Sequence, residues 1–290
     1  MKPLPPACHD GPVAVLNGFS QVLLQRHPLC GLCCLLAILV AEPQWIGGAL
    51  LGAVGGLFTA QRREYSRAHR QAGLYSYNGV LIGLLLSSQL SWSPLLPLLI
   101  LSGSGLAACL VEQWLRRCVR PSCLPAYTAP FVLLSWGLLQ LLETHPSAPL
   151  PDLPLWQSWL MGIGEIFLLA SPVAGALILL GLLLSSRRAA IWAILGSACG
   201  LAFAWLEDAP ASGLHGFNPA LAGLAFSAGY LRPLLAIGLA VLLQPGFSSL
   251  PVAGLTAPFI LACWLVKAGE RVHRQAAQAS GPLHCPLQSS

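Results

Sequence analysis

Apolar runs of roughly 14 to 22 residues recur along the chain, each ended by a short polar or proline-bearing break, and about 20 helical residues cross the hydrocarbon core of a bilayer. Ten runs fit that pattern: residues 28–42, 45–60, 73–90, 94–114 and 123–143, then 172–186, 189–206, 213–229, 232–245 and 250–268. Two shorter apolar pieces, 13–25 and 157–169, precede the two sets of five and are sized for half-membrane segments. The pattern predicts an all-α integral membrane protein.

The two sets repeat one another. GFSQVLLQRHPLCG (Gly18 to Gly31) aligns with GIGEIFLLASPVAG (Gly162 to Gly175) at an offset of 144. GLYSYNGVL (Gly73 to Leu81) returns as GLHGFNPAL (Gly213 to Leu221) at an offset of 140. TAPF at Thr128 returns at Thr256, an offset of 128 that also relates Trp136 to Trp264. An odd number of crossings per copy turns the second copy over, so the expectation is two inverted repeats of five transmembrane helices, each with a half-membrane re-entrant helix, around a central pore. The boundaries are 1–143 for the first repeat, 144–156 for a Pro-rich linker, 157–268 for the second repeat and 269–290 for a cytoplasmic tail.

Composition and charge agree. The chain is 56% hydrophobic and 9% charged, with mean hydropathy +0.70, against roughly 25% charged residues in soluble domains. Threading the spans puts all 15 Lys and Arg on one face, among them Lys2, Arg26, Arg62 to Arg70, Arg116, Arg117 and Arg120, with Arg187, Arg188, Arg232, Lys267, Arg271 and Arg274. Glu42, Glu143, Asp152, Glu207 and Asp208 fall opposite. By the positive-inside rule the basic face and both termini are cytoplasmic, in the plasma (inner) membrane. The net charge of +5 is therefore topology and not a nucleic-acid footprint. MKPLPPACHDGP lacks the apolar core of a cleavable signal. The CxxC within CGLCC (Cys30 to Cys34) has no second pair or histidine box to make a metal site, and the cysteines read as small core residues.

The duplicated polar phrases need a reason, because unpaired backbone at membrane depth costs several kcal/mol unless it faces protein or a water-filled cavity. Gly73 and Gly213 permit a sharp entry, and Asn78 and Asn218 offer amides to backbone groups. Close helix packing alone is the plainer explanation. A symmetric pair accompanied by two TAPF motifs favours a cavity between the halves.

The paired G-x-x-Q/E-V/I segments, the paired G-[YF]-N phrases and LPAYTAPF (Leu124 to Phe131) together resemble the urea transporter family over Gly18 to Trp264. The resemblance implies passive transport of urea, and of small amides, through one pore per subunit of a homotrimer embedded in membrane lipid, with no cofactor, no enzymatic activity and no nucleic-acid partner. Carried over position by position, it implies a pore lined by Gln21 and Val22 from the first half-helix and Glu165 and Ile166 from the second, with Thr128 and Thr256 at the narrow centre and Leu81 and Leu221 as walls. Leu24, Tyr77, Leu168 and Phe217 occupy slot positions that are largely phenylalanine in the family, so two aromatics have become leucine. LPVAGLTAPF (Leu250 to Phe259) places two extra residues between proline and threonine.

The chemistry is coherent without the family, because a site that replaces the hydration of a small N–H-rich solute with fixed acceptors removes the desolvation barrier. Several residues keep more than one reading at this stage. Glu165 suits a pore mouth, an interfacial structural position or proton coupling. The threonines suit a pore lining or a hydroxyl bonded one turn back, and Tyr77 and Phe217 suit a slot or plain core. His215 reads as a loop residue. Asn218-Pro219-Ala220 spells an aquaporin-like NPA, but the other half reads Asn78-Gly79-Val80 and ten spans exceed that fold. His27 and His145 are misplaced for an ammonium-type channel, and nucleophile, zinc and nucleotide-loop motifs are missing. The remaining alternative is an ion- or proton-coupled transporter of a small neutral solute, with Glu165 as its candidate ion site.

Overall fold

The computed structural model describes residues 10–118, 123–141, 154–207, 213–248, 250 and 252–279. The expectations for Lys2, Arg120, Glu143, His145, Asp152, Asp208, the linker up to residue 153 and the tail from residue 280 lie outside the described residues. Among the described residues thirteen α-helices and three short 3-10 turns follow one another, with no strand.

The first five helices are α1 (Asp10–Val22), α2 (Pro28–Ala41), α3 (Ile46–Arg62), α4 (Arg67–Gln71) and α5 (Tyr77–Gln89). The long α6 (Leu95–Arg117) and α7 (Ala129–Leu141) come next. After the linker come α8 (Leu155–Gly164), α9 (Pro172–Ser185), α10 (Arg187–Leu206), α11 (Phe217–Ala225), α12 (Leu231–Ser248) and α13 (Ala257–Ala279). α2 and α9 begin alike, with proline at the first helical position, where no N–H is needed. A side chain caps each: His27 accepts from Cys30 N–H at 3.4 Å and Ser171 from Ala174 N–H at 3.3 Å.

By length and hydropathy, α6 and α10 are each long and apolar enough to cross a membrane alone, among the described residues. Residues 155–167 and α9 form a bent pair, turning by 72° at their break. α1 and α8, at 13 and 10 residues, reach only about 15–20 Å at 1.5 Å per residue, half-membrane dimensions. The run expected over 213–229 is regular helix only over Phe217–Ala225, because its entry is a 3-10 turn (Gly213–His215). α13 continues well past the apolar run that ends at 268.

Small residues let the helices touch backbone to backbone, as membrane helices require when burial from water is not available to drive association. On α3, a Cβ added to Gly52 would stand 2.0 Å from the Gly79 carbonyl oxygen of α5. On α10, one added to Gly196 would stand 2.4 Å from the Pro219 carbonyl of α11. α2 sits on α1 and α9 on α8 the same way: Cβ atoms at Gly31 and Gly175 would fall 1.9 and 1.8 Å from the carbonyls of Leu16 and Leu160. α2 also packs against α9, joining the two sets of helices. The outward faces are greasy: Leu98 and Leu242 are 65% and 69% exposed, as lipid-facing leucines are. Not every cysteine is a free core residue, since Cys118 and Cys123 form a disulfide; Cys30, Cys34 and Cys263 are buried thiols.

Candidate functional site: a cavity above a threonine pair

Both half-helices end on a left-handed leucine. α1 closes with Leu24 at φ 58° and Leu24 N–H on the Gln21 carbonyl at 3.0 Å. α8 passes through a 3-10 turn, Glu165–Phe167, and closes with Leu168 at φ 60° and its N–H on the Glu165 carbonyl at 3.0 Å. A left-handed non-glycine residue costs about 1–2 kcal/mol. Tyr127 (φ 43°) and Leu255 (φ 46°), each immediately before a TAPF threonine, are strained in the same way. Thus four of the five positive-φ non-glycine residues among those described are predicted site residues or stand directly before one, and such strain gathers where a structure holds a site in place.

Thr128 and Thr256 directly precede α7 and α13, whose second residues, Pro130 and Pro258, lack an N–H exactly where a helix start leaves donors unused. The hydroxyls are not turned back onto their own helices. They meet each other, Oγ1 to Oγ1 at 2.7 Å, and both residues are buried.

The asparagines of the repeated phrase hold those helix starts. Asn78 Oδ1 accepts the Phe131 N–H at 3.2 Å, and Asn218 Oδ1 accepts the Phe259 N–H at 3.3 Å. Asn218 also donates from Nδ2 to Gln244 Oε1 at 2.9 Å and to the Leu255 carbonyl at 3.1 Å. Two reciprocal ties complete the frame: Trp136 Nε1 donates to the Ala253 carbonyl and Trp264 Nε1 to the Pro125 carbonyl, each at 2.9 Å. Of the two phrase glycines, only Gly73 takes a positive φ, 79°. Gly213 is needed for closeness instead, since a Cβ there would lie 2.7 Å from the Gly162 nitrogen.

Above the threonines lies a cavity of about 330 Å³. Six predicted site residues line it: Leu81, Glu165, Ile166, Leu168, Phe217 and Thr256. Thr128 reaches it through its bond to Thr256. Gln21, Val22, Leu24, Tyr77 and Leu221 are not on its wall. Tyr77 is buried and its hydroxyl donates to the Tyr127 carbonyl, while the Tyr127 ring packs tilted on Phe259 with centroids 5.1 Å apart. The counterparts of Tyr77 and Tyr127 are Phe217 and Leu255, which have no hydroxyl and a smaller side chain respectively, and both border the open space.

Sequence reasoning missed Phe131, Leu214, His215, Gln244 and Phe247 on the wall. Gln244 left a trace: a polar residue inside an apolar helix, beside Pro245 in the helix interior. Glu165 is only 8% exposed, and among the described residues its carboxylate has no ion pair and no side-chain hydrogen bond. Among the described residues no lysine or arginine lines the cavity, and His215 is the one basic side chain on its wall. No group of three or more metal-ligand side chains assembles among the described residues.

A helical chain with lipid-compatible faces, strained helix ends and a mostly apolar cavity beside a pair of hydroxyls is, by class, an α-helical membrane protein. The family model described as urea transporter matches residues 13–271. The chain belongs to the urea transporter family. Among its relatives, Urea transporter 1 of Rattus norvegicus is 30% identical over 243 residues, and that of Ovis aries 29% identical over 238. Urea transporter 1 of Mus musculus is likewise 29% identical over 238 residues. Each alignment takes in 73% of this chain, and the chain spans 61% of the length of these relatives.

Proposed function

We propose that this chain conducts urea passively down its gradient, by a path that runs through the cavity and past the threonine pair. The observation that carries the proposal is the meeting of Thr128 and Thr256 at 2.7 Å beneath apolar walls. Hydroxyl and carboxylate acceptors there can take over the N–H bonds that urea makes to water, while Leu81, Ile166, Leu168 and Phe217 confine a small flat molecule. Membership of a family of transporters supports this reading over an enzyme and over a coupled transporter.

The architecture proposed with it is a pair of inverted five-helix repeats, residues 1–143 and 157–268, each opened by a re-entrant half-helix. The matched ties from Asn78 and Asn218 and the reciprocal ties from Trp136 and Trp264 support a two-fold relation between the halves, since reciprocal contacts are what a two-fold axis produces. Gln21, Val22, Leu24, Tyr77 and Leu221 then belong to the other half of the path. The chain works as a homotrimer in the inner membrane with both termini cytoplasmic.

The test is stopped-flow urea efflux from proteoliposomes, with formamide and glycerol as comparison solutes and with or without a proton gradient. Fast urea efflux that ignores the proton gradient is expected. Absence of urea flux, or accumulation driven by the gradient, refutes the passive reading.

A further inference from the structure

A neutral solute can use Glu165 as a hydrogen-bond acceptor but leaves its charge unbalanced. A carboxylate in an apolar cavity is costly unless a cation or several donors meet it. Here it is buried, with 8% of its surface exposed. It opens onto a wall without lysine or arginine and has no ion-pair partner among the described residues. The aligned position in the first half is the neutral Gln21, so the charge is not demanded by the repeated frame. Urea offers this carboxylate two N–H groups along one edge but also brings a carbonyl that wants a donor.

A planar cation of the same shape, with N–H at every corner, offers donors to the carboxylate and to the Thr256 and Gln244 oxygens on the same wall and neutralises the carboxylate. Charge-assisted hydrogen bonds are about twice as strong as neutral ones, and a guanidinium plane is attracted to an aromatic face. Resting on the urea reading for the shape of the slot, we propose that this cavity also binds planar N–H cations of the guanidinium and amidinium class. Glu165 takes one N–H edge and Phe217 and Leu168 border the plane.

The experiment measures urea efflux from proteoliposomes with millimolar guanidinium chloride on both faces, against sodium chloride and tetramethylammonium chloride at equal ionic strength. Guanidinium slows urea efflux competitively in the unmodified protein, and the two control salts do not. In Glu165→Gln the guanidinium concentration for half-inhibition rises about ten-fold or more, as expected for loss of a charge-assisted pair, while inhibition by neutral acetamide changes far less. Because this substitution also touches the urea path, binding is read separately by calorimetric titration of guanidinium into purified, monodisperse protein, unmodified and Glu165→Gln. Fast urea efflux with no competition and no guanidinium heat overturns the inference and leaves the urea reading standing. Guanidinium binding that depends on Glu165 in a protein that passes no urea upholds the inference and overturns the urea reading. Equal guanidinium binding with glutamate or glutamine at 165 overturns the inference.

Discussion

Removing the amide of Asn218 tests whether the repeated phrase serves the site or merely allows helices to pack. Asn218→Ala deletes three hydrogen bonds: from the buried Phe259 N–H, to Gln244 and to the Leu255 carbonyl. The Phe259 N–H is the costly loss, because a buried donor without a partner costs about 1–3 kcal/mol. Gln244 and Leu255 border the cavity, where water can replace the amide, so each adds about 0.5–1 kcal/mol. The total is about 2–5 kcal/mol. At ~2–4 °C per kcal/mol for a chain of this size, the unfolding midpoint in detergent falls by about 4–20 °C.

The functional consequence separates the two explanations. Asn218 pins the first turn of α13, and Thr256 stands one residue before that helix. An unpinned turn lets the threonine leave its partner, so urea efflux per folded subunit drops several-fold. Asn78→Ala loses a single bond of this kind and shows a smaller thermal shift with the same direction of change in flux. Asn218→Asp keeps the acceptor for Phe259 but sets a buried carboxylate oxygen against the Leu255 carbonyl, so it is no milder than Asn218→Ala. If Asn218→Ala melts within about 0.5 kcal/mol of the unmodified protein, the ordinary scatter for surface changes, and retains its flux, the anchoring argument is wrong and packing alone explains the phrase.

Other outcomes follow from the same geometry. Thr128→Val keeps the shape of the side chain, leaves the Thr256 hydroxyl without its 2.7 Å partner and slows urea efflux, while the midpoint moves by only the ~1 kcal/mol of one hydrogen bond; unchanged flux in a folded variant removes Thr128 from the path. Tyr77→Phe removes the bond to the Tyr127 carbonyl, worth about 1 kcal/mol net, and raises efflux up to about five-fold if that bond closes the first-half side; stopped-flow rates decide. Gly52→Val drives side-chain atoms into the Gly79 carbonyl and destabilises α3 against α5 by about 1–3 kcal/mol, read as loss of monodisperse protein on size exclusion.

What could be read from the sequence was what repeats. Hydropathy and the three offsets located the helices, the half-length segments and the threonines, because each is written twice and any one copy checks the other. The left-handed leucines were hidden, since Leu24, Leu168 and Leu255 look like ordinary apolar residues and only the helix ends around them force φ positive. The joining of Thr128 to Thr256 was beyond local pattern as well, being a contact across 128 residues. His215 and Gln244 were passed over because each occurs in one half only, and a search guided by symmetry discards what symmetry does not repeat. The regular part of α11 came out shorter than its apolar run, because apolarity marks depth in the membrane and not helical geometry.

The anchoring ties from Asn78 and Asn218 match, yet the residues beside the threonine pair differ between the two sets of helices. Tyr77 and Tyr127 are buried and joined by a hydrogen bond, whereas their counterparts Phe217 and Leu255 border the cavity. This asymmetry cannot make a passive path one-way, because a solute at equal concentration on both faces has no net driving force whatever the shape of the path. What it changes is occupancy: a binding cavity on one side fills at lower concentration than a packed slot on the other, to the extent that the solute's affinity for the two ends differs. Urea flux measured in vesicles of single orientation is therefore expected to be equal in both directions at low concentration and to saturate at lower urea from the cavity side. Tyr77→Phe should narrow that difference. Identical saturation from both faces would show that the cavity does not hold the solute and that the threonine pair alone sets the rate.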